Sequence, residues 1–258
     1  MSDTSLRTDS VPSTTSTKTT PRRSDTRTFW RVLLAIVAPL PMLCMGIVYV
    51  IKPFEGDAPL PDTVAAITAH RQLFELSLWL GLPFLLGLIP AVIAVAWVTR
   101  RRTPVLTTVG AAWTLLGCLS GFPLLVPDDL LAYLAVTERL DLATITALDE
   151  AWWALPVTGA AALLFISGIV VGLALLGIAL SRSRVAPRWM AIALIIGGAT
   201  HPFLPNHVVA GIGLLVASIG FAGATRALLR MSNDEFDLPP VPTQPGVSPD
   251  PLSVERKS

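Results

Sequence analysis

Across residues 73–98 the chain places a single charged side chain, Glu75, in an otherwise apolar stretch. Similar runs cover 29–51, 105–126, 154–180, 189–204 and 208–229, which makes six in all. A bilayer core of about 30 Å takes roughly 20 helical residues. Five runs reach that length, and 189–204 falls short of it. Barrel strands alternate over about ten residues, whereas these runs are longer and continuous. Unpaired backbone groups are too costly in lipid, so the runs are expected to be helices. Hydrophobic residues make up 52% of the chain and charged ones 14%, against about 25% charged in soluble domains. One water-soluble core could not hide that much apolar surface. The expected fold class is all-α, a polytopic bundle of six transmembrane helices in a lipid bilayer.

Arginine placement sets the orientation. Arg22, Arg23, Arg27 and Arg31 precede or open the first run, and Arg100, Arg101 and Arg102 follow the second. Arg182, Arg184 and Arg188 separate the fourth run from the fifth, and Arg226 and Arg230 close the sixth. Alternating spans put all of these on one side. The other side receives Lys52, Arg71 and Arg139, with most of the acids. Basic loops stay on the cytoplasmic side, so both termini are expected there, in the cell inner (plasma) membrane. The first run is too long for the apolar segment of a signal peptide and meets no small-residue cleavage site at Tyr49–Pro53, so it reads as an uncleaved span. Cys44 and Cys118 lie mid-run and read as small packing residues, with no disulfide framework.

Residues 1–28, rich in Ser and Thr, and 232–258, rich in Pro, lack burial patterns and are expected to be disordered cytoplasmic tails around a bundle spanning 29–231. Two outer loops read as partly helical. Asp62 is the expected N-cap of a helix that runs on into the second span, and residues 128–139 are expected to form a short amphipathic helix. Thr146 and Asp149 resemble a capping box opening the fourth span, and Trp152 and Trp153 an interfacial belt. The stretches around 101–125 and 181–204 resemble one another, which suggests two parallel copies of a helical hairpin.

Candidate chemistry is sparse. Pro123 and Pro202 would stop or kink the outer ends of the third and fifth spans, and such matched breaks mark binding sites in transporter folds. They point to an outward-facing pocket near Glu75, Ser120, Thr200, His201, Asn206 and His207. His70, His201 and His207 are the available metal ligands, but their spacing matches no ligand motif, so no metal and no cofactor is expected. Pro83 and Pro90, seven residues apart, bend one face of the second span and either line a cavity or accommodate packing. Gly168 with Gly172, and Gly213 with Ala217, permit close helix contact, within the bundle or between copies.

No nucleophile elbow, P-loop, zinc-protease helix or dinucleotide fingerprint occurs. This leans against an enzyme without deciding the matter. The net charge of +1 and the lack of a folded basic domain argue against nucleic acid.

Six Ala-, Leu- and Gly-rich spans, arginine-rich loops on one side and a Ser/Thr-rich leading tail resemble the uncharacterised multi-pass membrane proteins of GC-rich bacteria, of the domain-of-unknown-function type. The resemblance covers 29–230 in general style. It implies the fold class and brings no activity, cofactor or site residue. Three functional expectations follow. The first is a non-enzymatic membrane protein that packs with itself or a membrane partner. The second is a small-solute carrier using the outward pocket, and the third is a metal-dependent membrane enzyme.

Overall fold

Pro39 and Pro41 lack the N–H groups that would continue the first apolar run as one regular helix. In the computed structural model that run is two helices in line, α1 (Arg27–Val37) and α2 (Leu40–Ile51). Pro39 leaves the Ala35 carbonyl without its partner four residues on, and Thr225 of a distant helix donates its hydroxyl there at 2.6 Å. The structure describes residues 26–55, 58–125, 127–200, 203 and 206–237, with side chains described except at 122–129. The sequence-expected tails lie almost wholly outside these residues.

Among the described residues every regular element is a helix. After α2 come α3 (Leu60–Ala69), α4 (Arg71–Thr99), α5 (Pro104–Leu125), α6 (Pro127–Thr137) and α7 (Leu142–Trp153). Next is one long helix made of α8 (Pro156–Ser167), a π turn (Gly168–Gly172) and α9 (Leu173–Ser183). Then follow α10 (Arg188–Thr200), α11 (His207–Arg230) and α12 (Asn233–Asp237). Five segments are long and apolar enough to cross a membrane: Arg27–Ile51, Arg71–Thr99, Pro104–Gly121, Pro156–Ser183 and His207–Arg230. The sixth apolar helix, α10, is shorter. It is described over Arg188–Thr200, and most of the remainder of the expected 189–204 run lies outside the described residues.

Glycine sets how closely these helices approach. A Cβ on Gly197 would collide with the Ala217 backbone, and one on Gly213 with the Thr200 hydroxyl. A Cβ on Gly220 would stand 2.5 Å from Leu194 Cβ. The three pairings run in opposite directions along the chain, so α10 and α11 lie antiparallel with their backbones nearly touching. The same device joins α5 to the α8–α9 helix. A Cβ on Gly168 would sit 2.5 Å from Gly117 Cα, and one on Gly172 would strike Thr114. The π turn falls at this glycine pair, and such turns occur mostly as local bulges in α-helices. The small-residue faces legible in the sequence are therefore occupied within the chain.

Around these seams lies one apolar core. Ala35, Met42, Leu88, Val92, Leu176, Leu194, Phe221 and Leu228 are each no more than 2% exposed. The bundle's outside is also apolar. Val105 is 76% exposed, Trp79 73% and Leu163 71%. Water does not tolerate such a continuous apolar surface on a soluble monomer, whereas lipid does. The protein is compatible in this respect with a multi-pass integral membrane protein.

Some local expectations are corrected. Pro59 and not Asp62 precedes α3, and Asp62 sits in the first turn. The helix does not run on unbroken into the second span, because His70 at φ −127° and ψ 40° separates α3 from α4. Thr146 and Asp149 lie inside α7, which is capped by Asp141 accepting from the Thr144 N–H at 2.9 Å. The Thr144 hydroxyl, and after it that N–H, hold the Asp141 carboxyl below the usual aspartate range. The long fourth helix starts at Pro156, not at 154. Pro123 does not stop α5, whose backbone stays helical to Leu125. Pro83 and Pro90 are carried inside a continuous α4.

Candidate functional site

Both ends of the bundle collect polar groups, and they do so differently. At one end lie the start of α1, the α4–α5 turn, the α9–α10 loop and the end of α11. This is the arginine end. Arg102 Nη1 donates to the Ser183 carbonyl at 2.7 Å, tying the α4–α5 turn to the end of α9. Arg184 at φ 55° terminates α9 in the left-handed region. Helix α12 folds back across this end. Ser232 and Glu235 cap one another reciprocally, with Ser232 N–H to Glu235 Oε2 at 2.9 Å and Glu235 N–H to Ser232 Oγ at 3.1 Å. This is a capping box. It seats Phe236 against Trp97, with ring centroids 5.1 Å apart. Arg27 reaches Asp234 at 3.2 Å, and Arg31 donates to the Met231 carbonyl. The sequence reading assigns everything from 232 onward to a disordered tail. Its first residues are instead a docked helical turn, made possible by a single aromatic side chain in a polar stretch.

The opposite end holds helices α3, α6 and α7 with the end of α2 and the start of α11. Ile67, Phe74 and Ala132 form a small separate core there, with Phe54, Leu60 and Tyr133 packed around it. Glu75 belongs to this cap. Its carboxylate accepts from Arg71 Nε at 2.9 Å and from the Tyr133 hydroxyl at 3.0 Å, so it ties α4 to α6.

Beside the cap lies a cavity of about 280 Å³. Tyr49, Phe54 and Trp153 supply aromatic walls, and Lys52, Glu55, Asp149 and His207 supply polar groups. The α11 N-terminus builds one side. Asn206 is its N-cap and accepts from the Val209 N–H at 3.0 Å. Glu55 completes the cap, taking the His207 backbone N–H at 2.8 Å and the Asn206 side-chain amide at 3.3 Å. A carboxylate at this position satisfies otherwise orphaned N–H groups and complements the helix dipole. His207 is buried, and its ring lies 4.8 Å from that of Tyr49. Lys52 Nζ lies 4.9 Å from the Phe54 ring centroid and 5.9 Å from that of Tyr49.

The sequence-expected residues are thus dispersed. Asn206 and His207 meet at this end, His207 lining the cavity and Asn206 holding its helix start. Glu75, Ser120 and Thr200 do not line the cavity. The Ser120 and Thr200 hydroxyls donate back to Gly117 and Gly197 of their own helices, a common resting place for mid-helix hydroxyls. His201 and Pro202 lie outside the described residues. His70 is exposed at the α3–α4 break. Among the described residues no three His, Cys, Asp or Glu side chains gather as metal ligands. Lys52 and Glu55 follow α2 whereas Asp149 and Trp153 belong to α7, about a hundred residues away, so no local pattern joins the four into one group. The one usable signal was Asn206 as an N-cap, which marks a helix start in need of acceptors.

No protein-family model, curated protein or solved structure matches this chain.

Proposed function

We propose that this chain is a non-enzymatic, multi-pass protein of the cell inner membrane that binds a small zwitterionic solute in the cavity opposite its arginine end. The bundle crosses six times, α10 making the short crossing, and both termini lie in the cytoplasm. Supporting this are the arginines gathered at one end and the acid-rich loops at the other, the distribution that the positive-inside bias produces. Trp30 and Trp189 near the arginine end and Trp153 at the opposite end fit the aromatic belts of two interfaces.

The observation that carries the ligand reading is the cavity's mixed lining. Lys52 offers an ammonium for a carboxylate and Asp149 a carboxylate for an ammonium, while Tyr49, Phe54 and Trp153 enclose the carbon skeleton. At about 280 Å³ the space lies near the low end for ligand pockets, which suits a molecule of amino-acid size. Glu55 is engaged by the α11 cap and shapes the site. The small-residue faces that suggested self-association are occupied internally, so binding is favoured over assembly. Carriage across the membrane would further require the α10–α11 seam to open.

The test is binding of an amino-acid and betaine panel to purified full-length protein in detergent, read by thermal shift and calorimetry. At least one zwitterion is expected to bind saturably, and Lys52→Gln and Asp149→Asn are each expected to weaken it about tenfold or more, the order of one lost charged hydrogen bond. Failure of the whole panel, or wild-type binding by both variants, would refute the ligand reading.

A further inference from the structure

A second cavity, of about 350 Å³, opens at the arginine end. Arg101 and Arg102 of the α4–α5 turn and Arg230 at the end of α11 line it. Its remaining wall is apolar, formed chiefly by Val98, Ala227 and Met231, of which Val98 and Ala227 are buried. One acid, Glu235, faces the same space, and its Oε2 is held by the Ser232 N–H of the α12 capping box. Three guanidinium-bearing residues therefore meet one carboxylate. Arg102 is fixed in place by the Ser183 carbonyl. Neighbouring Arg100 is pulled below the ordinary arginine value by burial and then by Arg101, with Asp237 opposing.

We propose that this cavity is a binding site for the phosphate of an anionic phospholipid of the inner leaflet. Guanidinium groups match phosphate oxygens in planar, bidentate geometry. An apolar wall beneath a basic rim suits an amphiphile, with the phosphate among the arginines and the glycerol and upper acyl carbons against Val98 and Ala227. Basic pockets between membrane helices on the cytoplasmic side hold anionic headgroups for this reason. A soluble phosphate would use the rim alone.

The experiment titrates full-length protein in neutral detergent with short-chain phosphatidylglycerol, phosphatidylcholine or inorganic phosphate, and follows melting temperature and bound lipid by native mass spectrometry. Phosphatidylglycerol is expected to stabilise saturably and to stay bound, with phosphatidylcholine inert. The double variant Arg101→Gln/Arg230→Gln is expected to bind at least tenfold more weakly. Arg182→Gln/Arg188→Gln, which removes two exposed arginines from the same end, is expected to stay within twofold of wild type. Stabilisation by inorganic phosphate as strong as by phosphatidylglycerol overturns the lipid assignment and makes the ligand a soluble phosphate. Equal retention of the two lipids by wild type, or equal losses in the two double variants, overturns the site itself. The wild-type lipid comparison decides the matter even if the Arg101/Arg230 variant does not fold.

Discussion

At the scale of single residues, the bundle depends on positions where a side chain is missing. Gly197, Gly213 and Gly220 let α10 lie against α11, and Gly117, Gly168 and Gly172 let α5 lie against the α8–α9 helix. Gly159, on the open face of α8, has nothing within 4 Å of a built Cβ. Two glycines of the same chemistry should therefore respond oppositely. Gly213→Val drives a branched side chain into Thr200 and should cost roughly 1–3 kcal/mol or more. Gly159→Ala should be neutral or stabilise by about 0.5–1 kcal/mol through backbone entropy. Melting of the two variants in one detergent checks this, and equal melting temperatures would contradict the seam. Small-residue spacing was readable in the sequence at Gly168, Gly172, Gly213 and Ala217. Their pairing was not, because Gly117 with Gly121 repeats the same spacing on α5 and spacing alone does not say which helix faces which. The bond from Thr225 to the Ala35 carbonyl was equally hidden, since proline shows that a carbonyl is freed and says nothing of what fills it.

At the scale of elements, the long apolar helices were legible to within a few residues, because hydrophobic length is a strong signal. The elements around them were less so. Helix α12 is five residues long and polar except for Phe236, too short to hold without its capping box and the tertiary contact with Trp97. Arg100 strengthens the latch, lying 3.7 Å over the Trp97 ring and donating to the Phe236 carbonyl at 2.9 Å. Phe236→Ala should release α12. At about 3 kcal/mol, the low end for removing a buried aromatic, amide exchange across 233–237 should quicken roughly a hundredfold, while the middle of α11 keeps its protection. Unchanged exchange at 233–237 would mean that the ion pairs of Arg27 hold α12 alone. The candidate site was read only in part for a related reason. Matched helix breaks in the third and fifth runs point to a pocket there, whereas the cavity lies where α2 and α7 end and α11 begins. Such convergence leaves no mark in a linear pattern, and Glu75, the single charge in its apolar run, joins α4 to α6 through Arg71 and Tyr133.

At the scale of the whole molecule, the account rests on an even number of crossings, and α10 is where that count is decided. Its 13 residues span about 20 Å at helical rise, short of a full bilayer core. The bundle nevertheless carries the chain from the arginine end at Arg188 to the opposite end at Asn206, where Glu55 meets the start of α11. Local thinning, or a loop drawn into the interface, accommodates such a helix at modest cost. The direct test is cysteine labelling of the full chain in intact cells, with Cys44 and Cys118 replaced by alanine. Single cysteines at Arg102, Arg182, Ser232 and Glu138, all exposed, are challenged with a membrane-impermeant maleimide. The account predicts labelling of the Glu138 position alone, with the other three reacting only after the membrane is opened. Labelling at Ser232 with protection at Arg182 would mean that α10 turns back without crossing, and the six-span bundle with both ends inside would be wrong.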